Sequence, residues 1–201
     1  MDRPSQSAEN ASDLDDLVGR LRAQPPSCGR VRLVAIDGHA GSGKSGFALR
    51  LAHALGDAPI LHVDDLATHE EFFGWTDRLR DQVLTALAQD RTADYGIYDW
   101  NARAFTTVGH LAPAPVVLLE GVGAGRRDLR PWLSHLLWME LDADESWRRG
   151  RRRDGPGLSE FWDAWIVAER DHFASDPSRP HADLLITQRD GGYGFAATAQ
   201  S

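Results

Sequence analysis

Gly38-His39-Ala40-Gly41-Ser42-Gly43-Lys44-Ser45 has the residue types and spacing of a phosphate-binding loop, G-x-x-x-x-G-K-[ST]. The chemistry explains the pattern. Glycines let the backbone curl until its N–H groups converge on an anion. A helix opening near the lysine adds the positive end of its dipole. Lys44 brings a compact, mobile charge to the outer phosphates, and Ser45 offers a hydroxyl to Mg²⁺. Gly38 to Gly46 are thus the candidate contacts for the phosphates of ATP or GTP.

Composition strengthens that reading. Of the 22 basic residues, Lys44 is the only lysine. The chain has otherwise exchanged lysine for arginine, yet keeps an ammonium where the loop needs one. The alternative is a glycine-rich turn before an ordinary helix.

Two carboxylate positions have the right setting to work with this loop. Asp64 and Asp65 follow the short apolar run Pro59 to Val63. Glu120 ends the apolar run Val116 to Glu120, ahead of Gly121-Val122-Gly123. In open parallel sheets, ligands sit beyond the carboxyl ends of the strands, where these acids would lie. Glu120 is placed to order Mg²⁺, its waters or the attacking group, so Ser45, Asp64 and Glu120 are the candidate metal contacts. The bland reading makes Asp64-Asp65 solvated turn residues and Glu120 a turn cap.

Arg148, Arg149, Arg151, Arg152 and Arg153 crowd a short block of an acidic chain. Their self-repulsion must be offset by anions or carboxylates. They read as a lid, about 144–157, closing arginines over a transferring phosphate; a solvated helix face is the alternative. Tyr98-Asp99-Trp100 lies in an aromatic segment without clear periodicity. It is either a small core or a stacking surface for a flat ligand, with Asp99 bonding a sugar hydroxyl. Arg170, a charged exception on a largely apolar helix, completes the candidate acceptor contacts with Asp64, Tyr98, Trp100 and Glu120.

These residues need a scaffold, and the hydrophobic pattern supplies one. Strands are expected at Val31–Asp37, Pro59–Val63, Val116–Glu120, Leu136–Leu141 and His181–Gln188. Helices are expected after the loop to about Gly56, over Thr76–Gln89, over Asp144–Asp154 and over Leu158–Ser175. A short helix capped by Ser12 or Asp13 precedes them, ending at Pro25-Pro26. Residues 1–12 read as a disordered tail, 13–188 as a single domain and 189–201 as a loose C-terminal tail. With 201 residues and 42% hydrophobic content, one core is the expectation.

The formal charge of -8 argues against nucleic acid or an anionic membrane as partner. No apolar run reaches membrane-spanning length, and no signal peptide is visible. Cys28 is the one cysteine, an inert thiol suited to a reducing cytoplasm. The oligomeric state is left open, a homodimer included.

The phosphate loop, His62-Val63-Asp64-Asp65-Leu66, Tyr98-Asp99-Trp100, Leu119-Glu120-Gly121 and the Arg148–Asp154 block come in an order that resembles the uridine kinase-like enzymes. That group includes uridine/cytidine, nicotinamide riboside, pantothenate and phosphoribulokinase types. The resemblance spans roughly Val31 to Thr187, and is strongest to kinase-like proteins of high-GC actinobacteria. It implies a P-loop α/β fold of five parallel strands with helices on both faces. It also implies ATP- or GTP-dependent, Mg²⁺-assisted phosphorylation of a small-molecule hydroxyl. Asp64 would be the general base, Glu120 the acid positioning Mg²⁺-bound water or substrate, and Arg149 and Arg153 the lid arginines. Leu66-Ala67-Thr68-His69 stands where uridine kinases carry an aromatic. Tyr98-Asp99-Trp100 replaces their Asp-His-Pro element. Both departures point away from uridine itself.

Two other function classes remain. A nucleotide-gated regulatory ATPase would need no small acceptor; the GTPase version lacks its N-K-x-D element. A nucleoside monophosphate kinase would use lid arginines on an acceptor phosphate, which the paired acids would repel. An antibiotic bearing a hydroxyl would be phosphorylated by the same chemistry as a metabolite.

Overall fold

The computed structural model describes residues 6–198, with side chains from Leu14 onward. Its centre is a six-stranded sheet in the order β2-β5-β1-β6-β7-β8. The strands are β1 (Arg32–Asp37), β2 (Ile60–His62), β5 (Val116–Glu120), β6 (His135–Met139), β7 (Leu184–Arg189) and β8 (Gly192–Ala197). The first five run parallel, and β8 returns antiparallel to β7.

Both faces of the sheet are covered, which is why the central strands are nearly unbroken apolar runs. Leu33 and Ala35 of β1 and Val117 and Leu119 of β5 face one core cluster. Val34 and Ile36, with Val116 and Leu118, face the other. The second face is covered by α1 (Gln6–Ala23) and α2 (Lys44–Ala54), the latter burying Phe47, Ala48 and Leu51. The first face is covered by a helix in three registers: α3 (Thr76–Leu79), a π turn (Arg80–Leu84) and α4 (Thr85–Ala88). Leu79, Val83, Leu84 and Leu87 are buried there, as the periodicity predicts.

Three departures from the sequence reading follow. The sheet has six strands rather than five. The sixth lies in the stretch read as a loose C-terminal tail, 189–201. Asp190-Gly191 is a two-residue turn, with Gly191 at φ 80 and Arg189 paired to Gly192. Tyr193 and Phe195 of β8 then pack on Phe47 at 4.8 and 6.3 Å between ring centroids. At the other end, α1 begins at Gln6, so Ser12 and Asp13 lie inside it rather than at its cap. Ala, Gln and Glu in that stretch favour helix and extend the amphipathic part. The first five residues of the expected tail, 1–12, lie outside the described residues. Finally, the aromatic segment is an antiparallel hairpin of β3 (Ala93–Asp99) and β4 (Ala104–Leu111), separate from the main sheet.

The arginine block is α5 (Ala143–Asp154), followed by α6 (Ser159–Ser175). Asp142 caps α5 by accepting from the Glu145 amide, and Gly155 ends it at φ 79. A third apolar cluster, Val122, Trp147, Trp162 and Trp165, joins α5 to α6. Among the described residues, no helix is long and apolar enough to cross a membrane.

Candidate active site

The phosphate loop connects β1 to α2. Gly38, Gly41 and Gly43 hold φ of 145, 87 and 95, backbone that only glycine adopts readily. A Cβ at Gly41 would overlap the Ser146 carbonyl, because α5 lies directly on the loop. Asp37 braces the loop from below. Its carboxylate accepts from the Gly38, Gly123 and Gly125 amides at 2.7, 2.8 and 2.9 Å. The loop after β5 is thereby tied to the start of the phosphate loop.

Among the described residues, no side chain caps the N-terminus of α2, and its first turn holds no acid. That leaves a helix end whose amides and dipole favour an anion. Lys44 donates to the Gly38 and His39 carbonyls at 2.9 and 3.0 Å. Ser42 is buried, with a hydroxyl that has no partner among the described residues.

A cavity of about 360 Å³ opens over this loop. Ala40, Gly41, Gly43, Lys44, Ser45 and Gly46 of the loop line it, together with Asp64, Glu120, Arg149 and Arg153. A second cavity, about 270 Å³, adjoins it. Its walls are His69, Trp100, Phe161, Trp162 and Trp165, with Asn101 and Asp154 as polar groups. Ala40, Asp64, Arg153 and Trp165 border both spaces.

The acids differ in character. Asp64 is solvent-exposed where it meets the cavity, yet it is closely surrounded by protein atoms that strip water from its carboxylate. Burial, together with the Glu120 charge, raises its carboxyl to about 6, against the pull of Lys44 and His62. Burial would raise Glu120 too. A hydrogen bond from His62 at 2.6 Å, the Lys44 charge and the Ser45 hydroxyl at 3.3 Å hold it below the ordinary glutamate range instead. The same bond to Glu120 pushes His62 up.

Ser45, Glu120 and Asp64 all line the phosphate cavity. Among the described residues, no three His, Cys, Asp or Glu side chains cluster as a metal-holding group. This donor set fits Mg²⁺, which takes one or two protein oxygens and completes its shell with phosphates and water.

The arginines divide. Arg149 bonds Glu145 at 2.9 Å and Gln188 at 3.4 Å while facing the phosphate cavity. Arg153 pairs with Asp154 at 2.6 Å, and that bond holds the Asp154 carboxyl below its ordinary range. Arg148 pairs with Glu145 and Arg151 with Asp163, so carboxylates offset much of the block's repulsion.

The other sequence candidates are only partly brought together. Trp100 lines the second cavity and donates to the Asp64 carbonyl at 3.2 Å. Tyr98 is buried behind that wall, its hydroxyl 3.0 Å from His69 Nδ1. Asp99 does not face the cavity. Its carboxylate accepts from the Asn101 and Ala102 amides at 2.8 and 2.9 Å and shapes the hairpin turn. Arg170 borders neither space; it lies 4.7 Å over the Trp147 ring and pairs with Asp144. His39 does not line the cavity over the loop; it turns toward α6 and bonds Glu169 at 2.7 Å.

Solved structures share this fold. A possible uridine kinase from Bacillus stearothermophilus matches with a TM-score of 0.58 at 17% identity, covering 88% of this chain and 98% of that one. The chain has the P-loop kinase fold. A provisionally assigned fructose transport system kinase from a Silicibacter species matches at 0.58 and 22% identity, covering 82% and 89%. D-glycerate 3-kinase from Cryptococcus neoformans matches at 0.55 and 13% identity, covering 97% and 100%. At these identities the likeness is one of fold. No protein-family model and no curated protein sequence matches the chain.

Within this P-loop kinase fold, the sequence reading missed several residues at the site: His62, His69, Asp154, Phe161, Trp165 and Glu169. A hydrophobic pattern marks Phe161 and Trp165 only as packing. For Glu169 the one available signal was its spacing, four residues after Trp165 and seven after Trp162, which puts a carboxylate on the buried face of the helix.

Proposed function

We propose that the protein is a small-molecule kinase that moves the γ-phosphate of ATP or GTP to a hydroxyl of a nucleoside or nucleoside-like acceptor. The observation that carries this reading is the meeting of two cavities at Asp64. One is lined by phosphate-loop groups and the other by aromatic rings. A regulatory ATPase has no use for the second space.

The roles follow from position. Loop amides and Lys44 hold the phosphates, and Ser45 and Glu120 would hold Mg²⁺, which screens phosphate charge and orients the transferring group. Asp64, with its carboxyl raised to about 6, is poised to take a proton from an acceptor hydroxyl near neutral pH. Arg149 and Arg153 face the space where charge develops during transfer. The rings of Trp100, Phe161 and Trp165 would stack a flat acceptor. A phosphorylated acceptor is disfavoured. Arg153 is the one arginine or lysine lining the second cavity among the described residues, and Asp154 already engages it.

Mass spectrometry tests this. The protein is offered ATP or GTP, Mg²⁺ and a panel of nucleosides, vitamins and hydroxylated antibiotics, then a small-molecule cell extract, with Lys44→Ala as the blank. One acceptor heavier by roughly 80 Da, a phosphoryl group, is the expected product. Nucleotide hydrolysis with no acceptor modified in panel or extract would favour the ATPase instead.

A further inference from the structure

Glu169 is a buried carboxylate with no role in the scheme above. It stands on α6 at 0% exposure, where an unpaired charge is costly. Both of its oxygens are engaged. Oε1 accepts from His39 Nδ1 at 2.7 Å, which requires the His39 proton on that nitrogen. Oε2 accepts from the Ala40 amide at 3.2 Å and from the Trp165 indole N–H at 2.7 Å.

The two sides of this carboxylate belong to different parts of the site. His39 and Ala40 follow the first glycine of the phosphate loop. Trp165 borders both cavities. One oxygen thus serves the loop backbone and a wall of the acceptor space together. The His39 ring packs edge-on against Trp138 at 5.4 Å and Phe173 at 5.1 Å. Burial would raise the Glu169 carboxyl, but the His39 hydrogen bond and the Lys44 charge hold it below the ordinary glutamate range.

We propose that Glu169 is a positioning residue that couples occupancy of the phosphate loop to the Trp165 wall of the acceptor cavity. Anion binding at the loop moves the Ala40 amide, and the shared oxygen passes that movement to the Trp165 N–H. Binding at the acceptor wall acts on the loop by the same route, since such coupling is reciprocal. The inference rests on reading the loop as a nucleotide site.

The test follows the indole N–H signals of ¹⁵N-labelled full chain by NMR, with the Trp165 signal assigned from Trp165→Phe. The probe is ADP with Mg²⁺. In the wild type, the Trp165 signal is expected to move and to saturate with the ADP affinity. In Glu169→Ala, ADP should bind roughly tenfold more weakly, with the Trp165 response lost, as expected for removing hydrogen bonds to a charged group. Glu169→Gln keeps an oxygen for Ala40 and Trp165 and should restore the response. ADP binding to wild type with an unmoved Trp165 signal overturns the coupling alone. A normal Trp165 response in Glu169→Ala does the same. Failure of ADP to bind the wild type overturns the nucleotide reading and the coupling with it. If Glu169→Ala does not fold, the wild-type titration and Glu169→Gln still decide.

Discussion

The His62 imidazole lies 2.6 Å from the Glu120 carboxylate, on the same oxygen that receives the Ser45 hydroxyl. A histidine at the end of β2 thus fixes the orientation of the acid at the end of β5, its neighbour in the sheet. Supporting groups of this kind typically change metal affinity by about 10–100-fold when removed. His62→Ala should therefore raise the Mg²⁺ concentration needed for half-maximal turnover by about tenfold. His62→Asn, which keeps a donor near the Nδ1 position, should recover much of it. A Mg²⁺ titration of turnover measures both. An unchanged half-saturation in His62→Ala would show that Glu120 is held well enough without it.

Asp64 stands where the two cavities join. In the proposed role of general base it would act on turnover rather than on nucleotide binding. Asp64→Asn should lower kcat by about 100-fold or more, the usual contribution of positioned proton transfer, with ADP affinity little changed. Steady-state kinetics beside an ADP titration separate the two. Turnover within a few-fold of wild type would remove Asp64 from the role of base.

How much of this was legible in the sequence depends on how far apart the cooperating residues are. The phosphate loop, the Val116–Glu120 strand and the Asp64 position are local patterns, and the structure places them around one cavity. Glu169 reaches His39 across 130 residues, and His62 reaches Glu120 across 58, so no local spacing encodes either pair. The β8 strand was legible in principle: Asp190-Gly191 between two strand-forming runs is a hairpin signal. It was outweighed by its place near the chain end. Asp99 illustrates the opposite error. Its residue type suits a sugar hydroxyl, but a short carboxylate beside a turn is also the natural partner for the next amides.

Gly150 is where the arginine helix meets α6. A Cβ there would overlap the Trp162 ring, and Trp162 is buried and bonded to Asp154 at 3.1 Å. Gly150→Ala gains helix propensity but must push α5 off α6. Overpacking of this kind costs about 1–3 kcal/mol, more than the gain of roughly 1 kcal/mol from replacing glycine in a helix. The variant should melt at a lower temperature and bind ADP more weakly, because Arg149 and Arg153 move with α5. Thermal melts and an ADP titration check it. A stabilised variant with intact binding would mean that Trp162 yields at little cost.

His172 gives the stability an acid-sensitive component. It is stacked on Phe73 at 4.5 Å, and its Nε2 is buried without a partner among the described residues. Burial, helped by the Arg126 charge, lowers its titration from 6.5 against the pull of Asp37, Asp176 and Glu169. The native state therefore keeps His172 neutral where the unfolded chain takes up a proton. The stabilising difference is fully present above 6.5 and is lost as pH falls from there through the lower native value. Asp64 works in the opposite direction: its native carboxyl, raised to about 6, holds a proton that the unfolded chain releases. Comparison with His172→Phe, which keeps a stacked ring without the titration, isolates the histidine. Between about pH 7.5 and about pH 5.5, the wild type should lose more Tm than His172→Phe does. Equal losses would mean that His172 takes up its proton as readily in the folded protein as in the unfolded chain.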